Sequence, residues 1–225
     1  MLVSALIFDM DGLMLDTESI ARTIWMREAE LMGAPIDVEL YRSLIGRTYA
    51  DISATLEKAF YGKVDAKGYI DRCMVHYRAR IMEPIALMPG LLTMLDYCDA
   101  HGLRKAVGTS TGREMAQIKL RSGGIEGRFD AMLTGSDVTK GKPDPEIFLK
   151  CADRLGMDPR ECLVLEDSPY GVLAAKAAGM RVVMIPDLIQ PDERIRAAAD
   201  AVLGSLSDLP DHLEDKGWVV VPASL

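Results

Sequence analysis

Leu6-Ile7-Phe8-Asp9-Met10-Asp11-Gly12 is the stretch on which the reading of the fold turns. Residues 2–8 form an apolar run. Such a run is too short to span a bilayer and long enough for a buried strand. Aspartate is a poor strand former, so a buried strand that ends in Asp-x-Asp-Gly gives up stability for something else. In extended backbone, residues i and i+2 point the same way. Asp9 and Asp11 therefore bring two negative charges to one place, unless a cation or a proton relieves them. Two readings follow. One is a Mg2+ site with a nucleophilic carboxylate. The other is a turn after a strand, because Asp and Gly also form turns. The stretch alone leaves the two about even.

The chain has 225 residues, enough for one large domain or for one domain with an insert. Hydrophobic residues make up 49% and charged residues 27%, the composition of an ordinary globular protein. A net charge of −8 argues against a nucleic-acid surface and against an anionic-membrane surface. It leaves room for a small phosphorylated metabolite held by local groups and a metal. The four cysteines (Cys73, Cys98, Cys151 and Cys162) make no CxxC pair, and His76, His101 and His212 do not cluster with them. That pattern disfavours a thiolate zinc site and favours a reducing compartment. No signal peptide and no transmembrane run are read, so a cytoplasmic protein is expected, a monomer or a weak homo-oligomer.

Residues 17–82 read as helices with short breaks. Ile20, Ile24 and Leu31 fall on one helical face, and Gly33 with Pro35 ends that segment. A second helix covers residues 38–45. Thr48-x-x-Asp51 has the spacing of a capping box that opens a third, which stops near Gly62. Ile70, Met74, Tyr77 and Ile81 make a helical stripe in a fourth, and the aromatic and methionine residues of this region read as bundle core. From residue 84 onward, strands alternate with helices. The expected strands are residues 103–108, 129–133, 161–165, 181–185 and a last short one at 201–203. They are continuously apolar, as in a parallel sheet covered on both faces. The pattern predicts an α/β fold: a doubly wound parallel-sheet, Rossmann-like core of residues 1–15 and 84–225, with an inserted α-helical cap of residues 16–83. The apolar tail around Trp218 either adds an edge strand or covers the sheet.

In open parallel sheets, ligands sit beyond the carboxyl ends of the strands. The polar residues at those ends are Asp9 and Asp11, then Thr109 and Ser110, then Glu166 and Asp167. Lys142 lies in the loop Gly141-Lys142-Pro143-Asp144-Pro145. This is the equipment of phosphoryl transfer to a carboxylate: oxygen ligands for Mg2+, a hydroxyl and an N–H for phosphate oxygens, and a lysine to offset accumulating charge. A helix N-cap is the plain alternative for Thr109 and Ser110, and helix N-terminal charge for Glu166 and Asp167.

Four motifs in order, each at the end of the right element, resemble the haloacid dehalogenase-like superfamily of phosphohydrolases, in its helical-cap branch. They are Phe8-Asp9-Met10-Asp11-Gly12, Gly108-Thr109-Ser110-Thr111, Gly141-Lys142-Pro143-Asp144-Pro145 and Leu165-Glu166-Asp167-Ser168. The resemblance implies that Asp9 attacks phosphorus and that Asp11 serves as acid and then base. It implies Mg2+ on the Asp9 carboxylate, the Asp11 carbonyl and Asp167, with Glu166 in or near the shell. It gives Thr109, Ser110 and Lys142 to the phosphate, and makes Ser168 a cap.

The expected enzyme is a Mg-dependent phosphatase of a small phosphate monoester, a sugar phosphate or similar. The alternatives are a β-phosphoglucomutase-like mutase and a non-catalytic binding protein on the same fold. Asp11 argues against carbon–halogen cleavage. The mutases use a histidine on the first cap helix, where this chain has Ile20 and Ala21, and their cap-loop arginine is displaced here to Arg47. Phosphonate hydrolases need a lysine that the first cap helix lacks. Substrate choice is expected from Gly46, Arg47 and Tyr49, with Glu18 and Arg113 behind them.

Overall fold

Short, continuously apolar runs build the sheet. A computed structural model describes residues 2–45 and 49–220, and for Tyr49 the backbone alone. The strands are β1 (Ala5–Phe8), β2 (Arg104–Gly108), β3 (Ala131–Leu133), β4 (Cys162–Glu166), β5 (Arg181–Met184) and β6 (Ala201–Val202). They form one six-stranded sheet in the order β3-β2-β1-β4-β5-β6, parallel throughout. The chain winds outward from β1 to β3, then crosses back to the other side of β1 for β4 to β6. The winding reverses between β1 and β4, and that is the switch point of a doubly wound fold. Phe8 is level with Val107 on one side and with Leu165 on the other.

Both faces of the sheet are covered, which is why its strands bury successive residues rather than alternate ones. Ile7, Ala106, Val164 and Val182 share a cluster with Phe148 and Cys151 of helix α7 (Glu146–Leu155) and Val172 of helix α8 (Pro169–Ala177). The alternate residues Leu6, Phe8, Leu165 and Val183 are just as completely buried. Each expected strand is present, most of them shortened. Val3 lies outside the strand, its N–H donating to the Trp218 carbonyl at 2.7 Å. The tail thus reaches the start of β1 without forming a strand among the described residues, and the Trp218 ring carries the Arg181 guanidinium at 4.9 Å. Phe129 drops out of β3 and sets its ring edge-on to Phe8 at 5.8 Å.

The chain divides into two compact units, Met1–Asp16 with Ile85–Leu225, and Thr17–Pro84. In the sheet unit, the outgoing and returning segments pair with each other. Asp16 N–H donates to Ala86 C=O at 3.0 Å, Met88 N–H donates to Met14 C=O at 2.9 Å, and Leu15 faces Leu87 as an antiparallel bridge.

The second unit holds α1 (Thr17–Leu31), α2 (Val38–Leu44), α3 (Tyr49–Phe60) and α4 (Ala66–Arg80), with no strand among its described residues. Its core is aromatic. Tyr69 is fully buried, with Trp25 at 5.6 Å and Phe60 at 5.2 Å, both edge-on, and its hydroxyl donates to the Trp25 carbonyl at 2.6 Å. Two expected helix faces hold only in part. Leu31 is 64% exposed, Ile20 and Ile24 are half-buried, and on the same face α1 buries Thr17 and Glu28, with Ala29 buried to one side. Glu28 can be inside because Arg72 of α4 donates to it at 2.8 Å, offsetting the cost of a buried charge. In α4 the buried face is Ala66, Tyr69, Ile70 and Cys73; of the expected stripe Ile70 and Ile81 are buried, Tyr77 is half-buried and Met74 is exposed. The expected Thr48 capping box lies outside the described residues. No helix among those described is long and apolar enough to cross a membrane.

Phe148 joins α7 to the centre of the sheet and is fully buried. Phe148→Ala is expected to lower the free energy of unfolding by about 3–5 kcal/mol. Urea denaturation followed by circular dichroism measures this, and a loss under about 1 kcal/mol would show that the core closes over the gap.

Candidate active site

At the switch point, the ends of three neighbouring strands converge on one ammonium group. Lys142 precedes α7, and its side chain is 6% exposed. Nζ donates to Asp9 Oδ1 at 2.5 Å, to the Gly108 carbonyl at 3.0 Å and to Glu166 Oε1 at 2.6 Å. Those acceptors stand at the ends of β1, β2 and β4, and they use all three of the lysine's donors. Lys140, the neighbouring lysine, is exposed and pairs loosely with Asp144 at 3.8 Å. Burial by itself would pull the Lys142 pKa down. The carboxylates of Asp9 and Glu166 outweigh it, and the value is raised.

Asp9 is 7% exposed. Burial pushes its carboxyl up to about 7, against the opposing pull of Lys142 and with reinforcement from Glu166. Glu166, fully buried, has both oxygens engaged. Oε1 takes Lys142, and Oε2 accepts from Ser168 N–H at 3.1 Å and from Ser168 Oγ at 2.9 Å. Ser168 Oγ in turn accepts from Gly171 N–H at 3.1 Å, so the cap of α8 and the carboxylate are one hydrogen-bonded unit. A Cβ on Gly171 would stand 1.8 Å from the Glu166 carboxyl, so only glycine fits there.

Asp11 is held from a different direction. Thr111 Oγ1 donates to its Oδ2 at 2.6 Å, and Lys119 Nζ donates to its Oδ1 at 2.6 Å. The two aspartates that the sequence places on one spot thus receive a lysine each. Gly12 follows with φ +77°, a left-handed turn that favours glycine. A Cβ there would lie 2.6 Å from Asp167 Oδ2 and 3.5 Å from Asp187 Oδ2.

Thr109 is buried at the end of β2, and its Oγ1 accepts from Thr111 N–H at 3.1 Å. Ser110 is exposed and lines a cavity of about 210 Å³ with Lys142 and Gly141. The loop after β3 braces this turn. Gly135 N–H donates to the Thr111 carbonyl at 3.0 Å, and its Cβ position would lie 2.3 Å from the Ser110 carbonyl. Arg113 opens helix α6 (Arg113–Ser122) and is tied to Asp137 at 2.5 Å. Burial alone would raise Asp137, but hydrogen bonds from Thr134 and Arg113 hold it at about 2. Within the helical unit, Glu18 accepts from the Tyr41 hydroxyl at 3.5 Å. Gly46 and Arg47, expected to read the substrate, lie outside the described residues, as does the side chain of Tyr49.

Sequence reasoning passed over Lys119, Gly171 and Asp187. Lys119 had a signal, because it occupies the buried face of α6 between Ala116 and Leu120. Among the described residues, no three His, Cys, Asp or Glu side chains cluster as a ligand set. The side chains of Glu166 and Asp11 are already engaged by lysines and hydroxyls. A small hard cation would draw on oxygen alone, from Asp9, Asp167 and the Asp11 backbone carbonyl, with water and substrate completing the shell. The fit is visible at Gly12, where the Asp167 carboxylate stands in the space any side chain would fill.

A doubly wound sheet with a buried lysine–carboxylate cluster at its switch point defines an α/β enzyme. The model of the haloacid dehalogenase-like hydrolases matches residues 6–185, and the chain belongs to that family. A phosphorylated carbohydrates phosphatase of Thermotoga maritima is 34% identical over 178 residues, which are 79% of this chain and 82% of that protein. A fructose-1-phosphate phosphatase of Escherichia coli is 32% identical over 80% of this chain and 95% of its own length. The crystal structure of a family hydrolase from Deinococcus radiodurans, with phosphate and sodium bound, superposes with a TM-score of 0.85 at 26% identity, covering 98% of this chain and 99% of that one.

The position of Asp9 carries a pH signature. Its folded-state pKa, about 7, lies above the ordinary 3.8, so folding takes up a proton between those values. In metal-free protein the corresponding stability is fully present below the lower value and is lost as pH rises towards the upper one. Asp137, held at about 2, changes stability only between that value and 3.8, below this window. Urea denaturation in EDTA at pH 5, 6.5 and 8 should show stability falling with pH, with a shallower fall in Asp9→Asn. Equal slopes in the two proteins would remove Asp9 as the cause.

Proposed function

We propose that this chain is a Mg2+-dependent phosphatase that hydrolyses a small phosphate monoester, a sugar phosphate or a similar metabolite, through an aspartyl-phosphate on Asp9. The observation that carries the reading is the Lys142 ammonium set between Asp9 and Glu166 at the switch point. A carboxylate nucleophile needs its negative charge kept low enough to meet a phosphate dianion, and a lysine at hydrogen-bond distance does that. Family membership and two phosphatase relatives support the same chemistry.

In this reading an Asp9 oxygen attacks phosphorus, and the bond from phosphorus to the ester oxygen breaks. Asp11 gives its proton to that leaving oxygen. The Asp11 carboxylate then takes a proton from the water that attacks the aspartyl-phosphate, and inorganic phosphate leaves with Asp9 restored. The Thr109 hydroxyl and the Ser110 N–H hold phosphate oxygens, and Lys142 neutralises charge on both partners. Glu166 acts by fixing Lys142, since both its oxygens are already engaged. Mg2+, held by Asp9, Asp167 and the Asp11 carbonyl, would supply charge stabilisation and orientation of the phosphate. Hydrolysis is preferred to mutase chemistry because the first helix of the insert, Thr17–Leu31, carries no histidine.

Inorganic phosphate released from p-nitrophenyl phosphate and from a panel of sugar, nucleotide and glycolytic phosphates tests the reading. Activity is expected on at least one sugar phosphate, lost in EDTA and restored by Mg2+. Asp9→Asn should lower kcat by about a thousandfold or more. Turnover that survives Asp9→Asn would sink the covalent mechanism, and an inert wild type across the panel would sink the phosphatase assignment.

A further inference from the structure

Helix α6 buries a lysine that the proposed reaction does not use. Lys119 is 4% exposed and lies on the inward face of the helix between Ala116 and Leu120. A buried ammonium is costly unless it is paired. Lys119 Nζ donates to Asp11 Oδ1 at 2.6 Å, while Thr111 Oγ1 donates to the other oxygen, Oδ2, at 2.6 Å. Both contacts come from the segment that follows β2. The Asp9 carboxylate is engaged by Lys142 instead, from the loop before α7. Two lysines therefore serve two aspartates, and only one of those lysines has a role in the reaction so far.

We propose that Lys119, seconded by Thr111, is a positioning residue for Asp11, fixing the carboxyl group that protonates the leaving oxygen. The inference rests on the phosphatase reading above. Asp11 has to serve twice, first as a protonated carboxyl towards the leaving oxygen and then as a carboxylate towards water. Its support must tolerate both states. The Thr111 hydroxyl meets that need, because it can donate to a carboxylate and accept from a carboxyl. Lys119 donates in either state, and its stem is locked by burial, so the orientation of Asp11 persists through the cycle. General acid catalysis matters in proportion to how poor the leaving group is. A sugar or glycerol alkoxide needs a proton as the bond breaks, whereas nitrophenolate leaves readily without one.

The test compares two esters, p-nitrophenyl phosphate and the alkyl phosphate turned over fastest in the panel. Lys119→Met should lower kcat on the alkyl phosphate by about a hundredfold and on p-nitrophenyl phosphate by less than about tenfold. KM should stay within about twofold on both, and Lys119→Arg should recover most of the loss. A loss of equal factor on both esters would mark a structural role and overturn the inference. So would Lys119→Arg as impaired as Lys119→Met. Should Lys119→Met fail to fold by circular dichroism, Thr111→Val is read the same way, selective loss on the alkyl ester supporting the proposal and uniform loss overturning it. A wild-type chain that hydrolyses neither ester overturns the phosphatase reading together with this one. A wild type active on both, with uniform loss in the variants, overturns this one alone.

Discussion

One buried ammonium group holds the working end of this fold together. Lys142 Nζ ties the ends of β1, β2 and β4 through Asp9, the Gly108 carbonyl and Glu166. Parallel strands leave their last carbonyls and their first loop residues facing the same edge, and here that edge collects carboxylates. Without a cation among them, the buried charges would repel each other or take up protons. The lysine solves this locally and brings its own requirement, since an ammonium this deeply buried must have every proton engaged. The requirement extends outward. Glu166 must be fixed by Ser168, Ser168 must cap α8, and Gly171 must lack a side chain.

The same logic recurs with Asp11, Lys119 and Thr111, at a distance of two residues along the chain. Asp-x-Asp on a strand end creates an electrostatic conflict, and the fold resolves it by pulling the two carboxylates towards different supports. Asp9 is held by Lys142 from the loop before α7, and Asp11 by Lys119 and Thr111 from the segment after β2. Gly12, at a positive φ that glycine adopts without strain, marks where the chain turns away beside Asp167.

Much of this was legible from the sequence, for identifiable reasons. A parallel sheet covered on both faces writes itself as short apolar runs, and polar residues directly after such runs stand out. Asp9, Thr109 and Glu166 were visible on those grounds, and Lys142 through its loop. The helical unit was less readable. Its small core admits Glu28 and Thr17, so hydrophobic periodicity named the face of α1 but not the polar residues that share it, and Tyr69 rather than Met74 centres α4. Lys119 was missed because a lysine on a helix ordinarily reads as solvated, and only its apolar neighbours betray that it is inside. Gly171 gave no signal at all, since its reason is the carboxylate of another element.

The paired segments on either side of the Thr17–Pro84 unit have a consequence for how such a chain can change over time. Leu15 and Leu87 are neighbours, although 72 positions separate them in number (87 − 15). The two ends of the insertion are thus pinned side by side by the sheet unit itself. Closing a longer or shorter loop between fixed ends alters the entropy only slowly with length. The helices between them can therefore be lengthened, replaced or reshuffled as a cassette while the strands continue to fold on their own contacts. A lineage built this way can vary the inserted unit while the sheet unit stays the same.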